Sequence, residues 1–358
     1  MKAAVLRQIG QLDIEDVDLD GPRRDEVRIR VLASGLCHSD YHFIAGDFPV
    51  PLPAVLGHEV AGEIIAVGEN VGGFAIGDRV VTCLSAYCGQ CRECQTGHNH
   101  RCEDKPGAPD RPAGSRITKG GEAIRQLGNL GGFAEEMVIH HRAVTKISPE
   151  VPPSSAALLG CAVITGVGSV LNSAKVPPGS TVAVIGCGGV GLNAIQGARI
   201  AGASRIIAVD KNAAKLSAAI AFGATDTVLG GPDTAGEIAE LTRGGVDFAF
   251  EVVGSEATAR LAMDATRQGG TTVLVGLGTP DLTVALPITT FAMTEKRVMG
   301  SLMGSAAYQL FLPQLVTYYQ QGRLKLNELV SREIRLDQIN EGYASMANGE
   351  VARSVIVF

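Results

Sequence analysis

Residues 181–210 read TVAVIGCGGVGLNAIQGARIAGASRIIAVD, and no other stretch constrains the fold so tightly. A β-branched apolar run ends at Gly186-x-Gly188-x-x-Gly191. An Ala-rich helical segment follows, and a second apolar run closes on Asp210, 19 residues beyond Gly191. Glycines there let a tight turn and a helix N-terminus approach a pyrophosphate, whose charge the helix end favours. A carboxylate ending the second strand would accept hydrogen bonds from an adenosine ribose and repel a 2′-phosphate, so NAD is expected over NADP. The plainer alternative is that Asp210 only caps helix 211–222. Three glycines alone say little in a chain with 45 of them. The order strand, motif, helix, strand, acid is what points to a dinucleotide.

The surrounding rhythm agrees. From about residue 180, apolar runs (STVAVIG, RIIAVD, DTVLG, VDFAFEVVG, TTVLVGL, RVMGSL) alternate with helical stretches such as 189–201, 211–222 and 255–267. Six strands with helices between them describe an α/β fold with a doubly wound parallel sheet. The first 150 residues instead carry short alternating segments split by Gly- and Pro-rich turns (KAAVLR, EVRIRVLASG, GEIIAVG, DRVVTC), the pattern of a β-rich domain. At 358 residues two domains are expected. The tail ends in RSVIVF and does not continue the βα alternation, so it is expected to fold back on the first domain. The domains are therefore expected at 1–162 with 302–358, and at 163–301.

A net charge of −6 with no basic run argues against nucleic acid or an anionic membrane as partner. The start, MKAAVLRQIG, is interrupted by Arg7 and Gln8 and does not read as a signal peptide. Stretches 151–174 and 176–198 approach membrane-span length, but proline and glycine break both (Pro152, Pro153, Gly160; Pro177, Pro178, Gly186). The expected location is cytoplasmic, where thiols stay reduced.

That compartment bears on the cysteines. Cys88, Cys91, Cys94 and Cys102 fall within CGQCRECQTGHNHRC. Four reduced thiols at this spacing suit a closed tetrahedral metal site better than a disulfide knot. His98 and His100 in the same loop read as solvated. Cys37 in GLCHSDYH, His58 in GHEVAGEIIAVG and Cys161 in LLGCAVITG are scattered. Two Cys and one His make the ligand count of a catalytic zinc with an open position, although spacing alone does not bring them together.

These motifs, in this order, resemble the zinc-dependent medium-chain alcohol dehydrogenases from about residue 1 to 358. GHEVAGEIIAVGENV fits that family's G-H-E-x2-G-x5-G-x2-V signature. The resemblance implies a GroES-like catalytic domain beside the Rossmann domain and two Zn2+ per subunit. One zinc is catalytic, on Cys37, His58 and Cys161, with Glu59 beside it and Asp40 orienting His58. The other is structural, in the 88–102 lobe. It also implies hydride transfer from an alcohol to NAD, with Ser39 taking the hydroxyl proton and His42 relaying it. His38 and Arg353 would contact the pyrophosphate and Lys215 the adenosine ribose. Thr165, Val190 and Val275 would surround the nicotinamide.

Phe48, Leu84 and Leu127 are expected to line an apolar pocket for primary or secondary alcohols and their aldehydes or ketones. The branch that oxidises a glutathione adduct of formaldehyde carries Asp, Tyr and Arg where this chain has Phe48, His42 and Pro106, which argues against that substrate. GLCHSDYH and GLNAIQGARIAGA also resemble nicotinoprotein alcohol dehydrogenases, which hold NAD tightly. A non-catalytic dinucleotide-binding protein is the remaining alternative, and no catalytic ligand is missing to favour it. The 31-residue step from Cys102 to Phe133 resembles that of the family's longer, dimeric members more than the shortened tetrameric ones, a resemblance that implies a homodimer, with a tetramer as the other possibility.

Overall fold

A computed structural model of the chain describes residues 1–106, 115–349 and 353–358. It divides into two compact units, Met1–Cys161 with Ala307–Phe358, and Ala162–Ala306. Part of the 102–133 step, residues 107–114, lies outside the described residues.

The first unit is built on two sheets. Glu26–Gly35 is the centre of the larger one, pairing antiparallel with Glu59–Val67, Glu136–His140 and the last strand, Ser354–Val357. Inward-facing Val27, Ile29 and Val31 alternate along Glu26–Gly35 and pack with Val60, Ile64, Val80 and Met137. The second sheet runs Gln11–Asp16, Lys2–Gln8, Ala54–Val55, Glu122–Gln126, Ile117–Lys119, Asp18–Leu19. It packs Leu6, Leu12, Leu56 and Phe133 against Ile334, Tyr343 and Ile356 of the C-terminal segment. Each such fully buried aliphatic or aromatic side chain contributes roughly 1.5–3 kcal/mol. That segment thus belongs to the first unit's core, and its helix Tyr308–Gln320 tolerates Pro313 within it.

The second unit holds one parallel six-stranded sheet in the order Asp226–Leu229, Arg205–Asp210, Thr181–Ile185, Val246–Glu251, Thr266–Leu274, Arg297–Gly300. Numbered along the chain, this is the 3-2-1-4-5-6 order of a doubly wound fold. Its central strands bury Ala183, Ile185, Ile207, Val209 and Ala249. Helix 211–222 starts two residues later than expected, at Ala213, because the Asn212 side chain accepts the Ala214 N–H at 2.9 Å and caps it. Helix 255–267 stops at Ala265, since Thr266 already pairs with Val246.

Among the described residues no single helix is long and apolar enough to cross a membrane. The 151–174 stretch is cut into Pro153–Ala157, Leu158–Gly160, Ala162–Gly168 and Ser169–Ser173.

Candidate metal centres and active site

Strand register brings the scattered ligands together. Gly35 pairs with Glu59 across the antiparallel ladder, which sets Cys37, two residues past the first strand, beside His58, just before the second. Glycine is required at position 35, because a Cβ there would stand 2.2 Å from Glu59 Oε2. Cys161 follows the turn Leu158–Gly160, which crosses so close to the sheet that a Cβ on Gly160 would meet the Thr82 carbonyl at 2.2 Å. As a result one donor atom from each of Cys37, His58, Glu59 and Cys161 lies within 4.8 Å of the others, and all four residues are buried.

The charges around this cluster are organised. Asp40 sits in the first turn of the helix His38–Ala45, fully buried, with Oδ2 2.9 Å from His58 Nδ1 and Oδ1 accepting the Gly57 N–H at 3.1 Å. That leaves His58 Nε2 buried with no hydrogen-bond partner. A buried ring nitrogen left bare costs free energy unless something binds it. The hydrogen bond from Cys161 draws the Cys37 thiol well below its usual range, while Cys161 is raised in turn. Burial opposes a charged His58, but the Asp40 and Cys37 charges outweigh it and raise the imidazole. Burial pushes the Glu59 carboxyl up to about 7, against the pull of Arg353. Two thiols, one imidazole with its outer nitrogen held, and a carboxylate form a donor set that fits zinc.

The lobe is assembled differently. Its only regular pieces are the short helix Arg92–Gln95 and the turn Asn99–Arg101, and only His100 and Cys102 within it are buried. The four sulfurs close on one another, with Cys88 Sγ 4.0 Å from Cys94 Sγ and Cys91 Sγ 3.9 Å from Cys102 Sγ. A tetrahedron with metal–sulfur bonds of ~2.3 Å has edges of about 3.8 Å, so the set fits a zinc with no vacancy. Backbone N–H groups of Cys88, Gln90 and Cys91 point at the sulfurs. Arg142 donates to the Cys88 carbonyl and lies over the Tyr87 ring, tying the lobe to the sheet. His98 is exposed as expected. His100 is not: it is buried, and desolvation pushes its pKa down to about 4, so the solvated reading is corrected for this residue.

The remaining expected residues of this unit occupy identifiable places. Ser39 Oγ is 3.7 Å from Cys37 Sγ. His42, on the same helix, has Nδ1 2.8 Å from Asp47 Oδ2 and its ring 4.8 Å from that of Phe48. Leu84 packs in the larger sheet's core and abuts Gly128 in the turn Leu127–Asn129, while Leu127 packs on the other core. His38 is exposed at the start of its helix. Arg353 was expected at a pyrophosphate. Its guanidinium is buried against the cluster, with Nη1 donating to the Leu36 carbonyl at 2.7 Å and Nη2 3.3 Å from Glu59 Oε1. The Glu59–Arg353 pair was not foreseen, and nothing local in the sequence announces a partner so far along the chain.

In the second unit, Gly186 has φ +103, and a Cβ on Gly191 would lie 1.8 Å from the Gly186 carbonyl. Around Gly188 a Cβ would meet nothing within 4 Å, which leaves the N-terminus of helix Gly189–Ala201 open to a ligand. Asp210 Oδ2 accepts the Cys187 N–H at 2.8 Å and Oδ1 the Asn212 N–H at 2.9 Å. The carboxylate thus fixes the glycine turn. Lys215 is half-buried on the next helix. Thr165 Oγ1 contacts Met303 Sδ, Val275 is buried at the end of Thr266–Leu274, and Val190 is half-buried beside Gly191.

Comparison with known proteins gives these two units a lineage. The alcohol dehydrogenase GroES-like domain family matches residues 23–149, and the zinc-binding dehydrogenase family matches residues 189–317. The NDMA-dependent alcohol dehydrogenase of Amycolatopsis methanolica is 41% identical over 99% of this chain and 98% of its own length. Among solved structures, an alcohol dehydrogenase zinc-binding domain protein from Burkholderia ambifaria superposes with a TM-score of 0.94 at 36% identity, covering 100% of this chain and 98% of that one. Benzyl alcohol dehydrogenase from Acinetobacter calcoaceticus does so with a TM-score of 0.94 at 33% identity, covering 100% and 99%. With its ligand cluster and glycine turn in place, the chain belongs to the zinc-dependent medium-chain alcohol dehydrogenases.

Proposed function

We propose that this alcohol dehydrogenase reversibly oxidises primary and secondary alcohols with apolar tails, using NAD and two zinc ions per chain. The observation that carries the reading is the buried Cys37–His58–Cys161 cluster, in which His58 Nε2 has no protein partner. Those three residues would hold the catalytic zinc, with Glu59 beside it, and Cys88, Cys91, Cys94 and Cys102 would hold the structural one. When bound, the catalytic zinc supplies a Lewis acid for the alcohol oxygen and the dinucleotide supplies the hydride acceptor.

The protein's own groups do the rest. Asp40 holds His58 Nδ1 and so fixes the ring nitrogen that faces the metal. Ser39 takes the hydroxyl proton and His42 carries it towards water. Arg353 offsets the negative charge of Glu59 and the thiolates. In the second unit the helix N-terminus behind Gly188 would bind the pyrophosphate, with Asp210 and Lys215 on the adenosine ribose. Thr165, Val190 and Val275 would hold the nicotinamide. Phe48, Leu84 and Leu127 would supply apolar surface for the substrate, and the benzyl alcohol dehydrogenase likeness favours including benzylic alcohols. The thiol-rich metal sites suit a cytoplasmic location. A homodimer is supported by the edge strand Arg297–Gly300 and the exposed Leu286, Ile288 and Met293 near it in sequence.

A panel of aliphatic, allylic, benzylic and cyclic alcohols with NAD, read by NADH absorbance, tests the reaction. No reduction with any of them would overturn it. Elemental analysis should return two zincs per chain, and light scattering should give twice the chain mass. The 41% identity to an NDMA-dependent enzyme supports a second reading, in which NAD never leaves. NAD recovered from extensively dialysed protein would favour that reading.

A further inference from the structure

We infer that Asp47 is a positioning residue for His42, holding the imidazole in the Nδ1–H tautomer so that Nε2 is the nitrogen that receives the relayed proton. The inference deepens the proton-relay reading above and rests on it.

Local backbone chemistry makes the contact. The helix His38–Ala45 ends at Gly46, whose φ of +84 only glycine adopts without strain. Gly46 N–H donates to the Phe43 carbonyl at 3.3 Å and Asp47 N–H to the His42 carbonyl at 2.9 Å, the paired bonds of a Schellman ending. Phe48 N–H shares the His42 carbonyl at 3.2 Å. The N–H of Gly10 donates to the Ile44 carbonyl at 2.8 Å and ties the turn to the first hairpin. The chain therefore doubles back over the residue it left five positions earlier. Asp47 Oδ2 arrives 2.8 Å from His42 Nδ1, and the Phe48 ring covers the imidazole at 4.8 Å.

An exposed His–Asp pair on flexible side chains would contribute little. Here the partners are set by backbone hydrogen bonds, and the His42 side chain is 22% exposed against 40% for Asp47. An ionised carboxylate only accepts, so the nitrogen facing it carries the hydrogen. Nε2 then keeps its lone pair. A proton arriving from the Ser39 side bonds to Nε2 and makes an imidazolium whose Nδ1–H still faces Asp47. The same proton next leaves Nε2 for water or a buffer base, and the neutral Nδ1–H tautomer returns. Asp47 gives up no proton and takes none in this sequence; it acts through His42.

The test uses zinc-loaded full-length protein labelled with 15N-histidine, with the His42 ring signals identified by their loss in His42→Gln. The expected result is an Nδ1–H His42 in the wild type and a shift towards Nε2–H in Asp47→Asn, whose amide can donate as well as accept. Turnover should fall roughly tenfold in Asp47→Asn, within the ~10²-fold a positioned proton acceptor supplies. The KM for alcohol should change far less, and Asp47→Glu should recover part of the loss. An Nε2–H tautomer in the wild type, or Asp47→Asn with unchanged tautomer and turnover, overturns the inference. Unchanged turnover in His42→Gln overturns the relay reading instead, and the ring spectrum still judges Asp47 by itself.

Discussion

In the 88–102 lobe four sulfurs come from fifteen consecutive residues, and most of the loop around them is exposed. In the other cluster the donors come from the end of a strand, the start of another and a turn more than a hundred residues on, and every one is buried. The lobe's geometry is local: given a metal, the loop can close with little help from the rest of the fold. The buried cluster exists only after Glu26–Gly35 and Glu59–Val67 have found their register, since a one-residue slip would turn Glu59 to the other face. A saturated site can brace a fold, and an unsaturated one needs the fold to brace it.

That contrast can be broken in graded steps. His58→Ala removes a ligand from the open cluster and should lower kcat/KM by at least ~10³, about 4 kcal/mol, with the far-ultraviolet circular dichroism unchanged. Retained activity would end the assignment of chemistry to that cluster. Cys91→Ser should cost one zinc per chain and about 3 kcal/mol or more of stability in urea unfolding, because coordination there replaces a core. Its turnover at low temperature should stay within a few-fold of wild type. If activity vanishes while the remaining zinc is still bound, the two sites are not independent. Asp40→Asn leaves all ligands present and loosens only the hold on His58 Nδ1. Zinc affinity or turnover should drop by roughly 10–100-fold, and equilibrium dialysis of zinc would reveal an unaltered site if the Asp40 hold is idle.

The smallest effect concerns Tyr343, buried with its hydroxyl unpartnered and its pKa raised by desolvation, with the Asp40 charge adding to it. Phenylalanine there keeps the ring packing against Tyr41 and Phe133 and removes an unsatisfied group. A gain of up to about 1 kcal/mol is expected on chemical denaturation. A loss would mean that the hydroxyl has a partner in the working enzyme.

The dinucleotide unit was legible because each of its signals is short-range: a strand, a glycine turn, a helix and an acid within thirty residues. Asn212 and Ser255 displaced two helix boundaries through side-chain caps that periodicity does not register. The four-cysteine lobe was legible for the same local reason, but the burial of His100 was not, since it depends on what the loop lies against. Cys37, His58 and Cys161 could be grouped only through resemblance to a family. Their meeting is written in strand register and in two close backbone approaches, at Gly35 and Gly160, that no spacing rule encodes. Asp47 did leave a trace: a glycine four residues after His42, followed by an acid, is what a Schellman ending needs to return a carboxylate to that side chain.

The last strand, Ser354–Val357, lies against Glu26–Gly35, and Arg353 enters it facing Glu59. On a growing polypeptide this imposes an order of events. The lobe has all its sulfurs as soon as residue 102 is clear of the ribosome, and it can take metal while most of the chain is still unmade. The buried cluster waits for its counter-charge until Arg353 has been made, long after the lobe. A metal in the lobe could therefore be acquired early in translation, whereas the charge balance of the buried cluster is completed only after Arg353 has joined the chain.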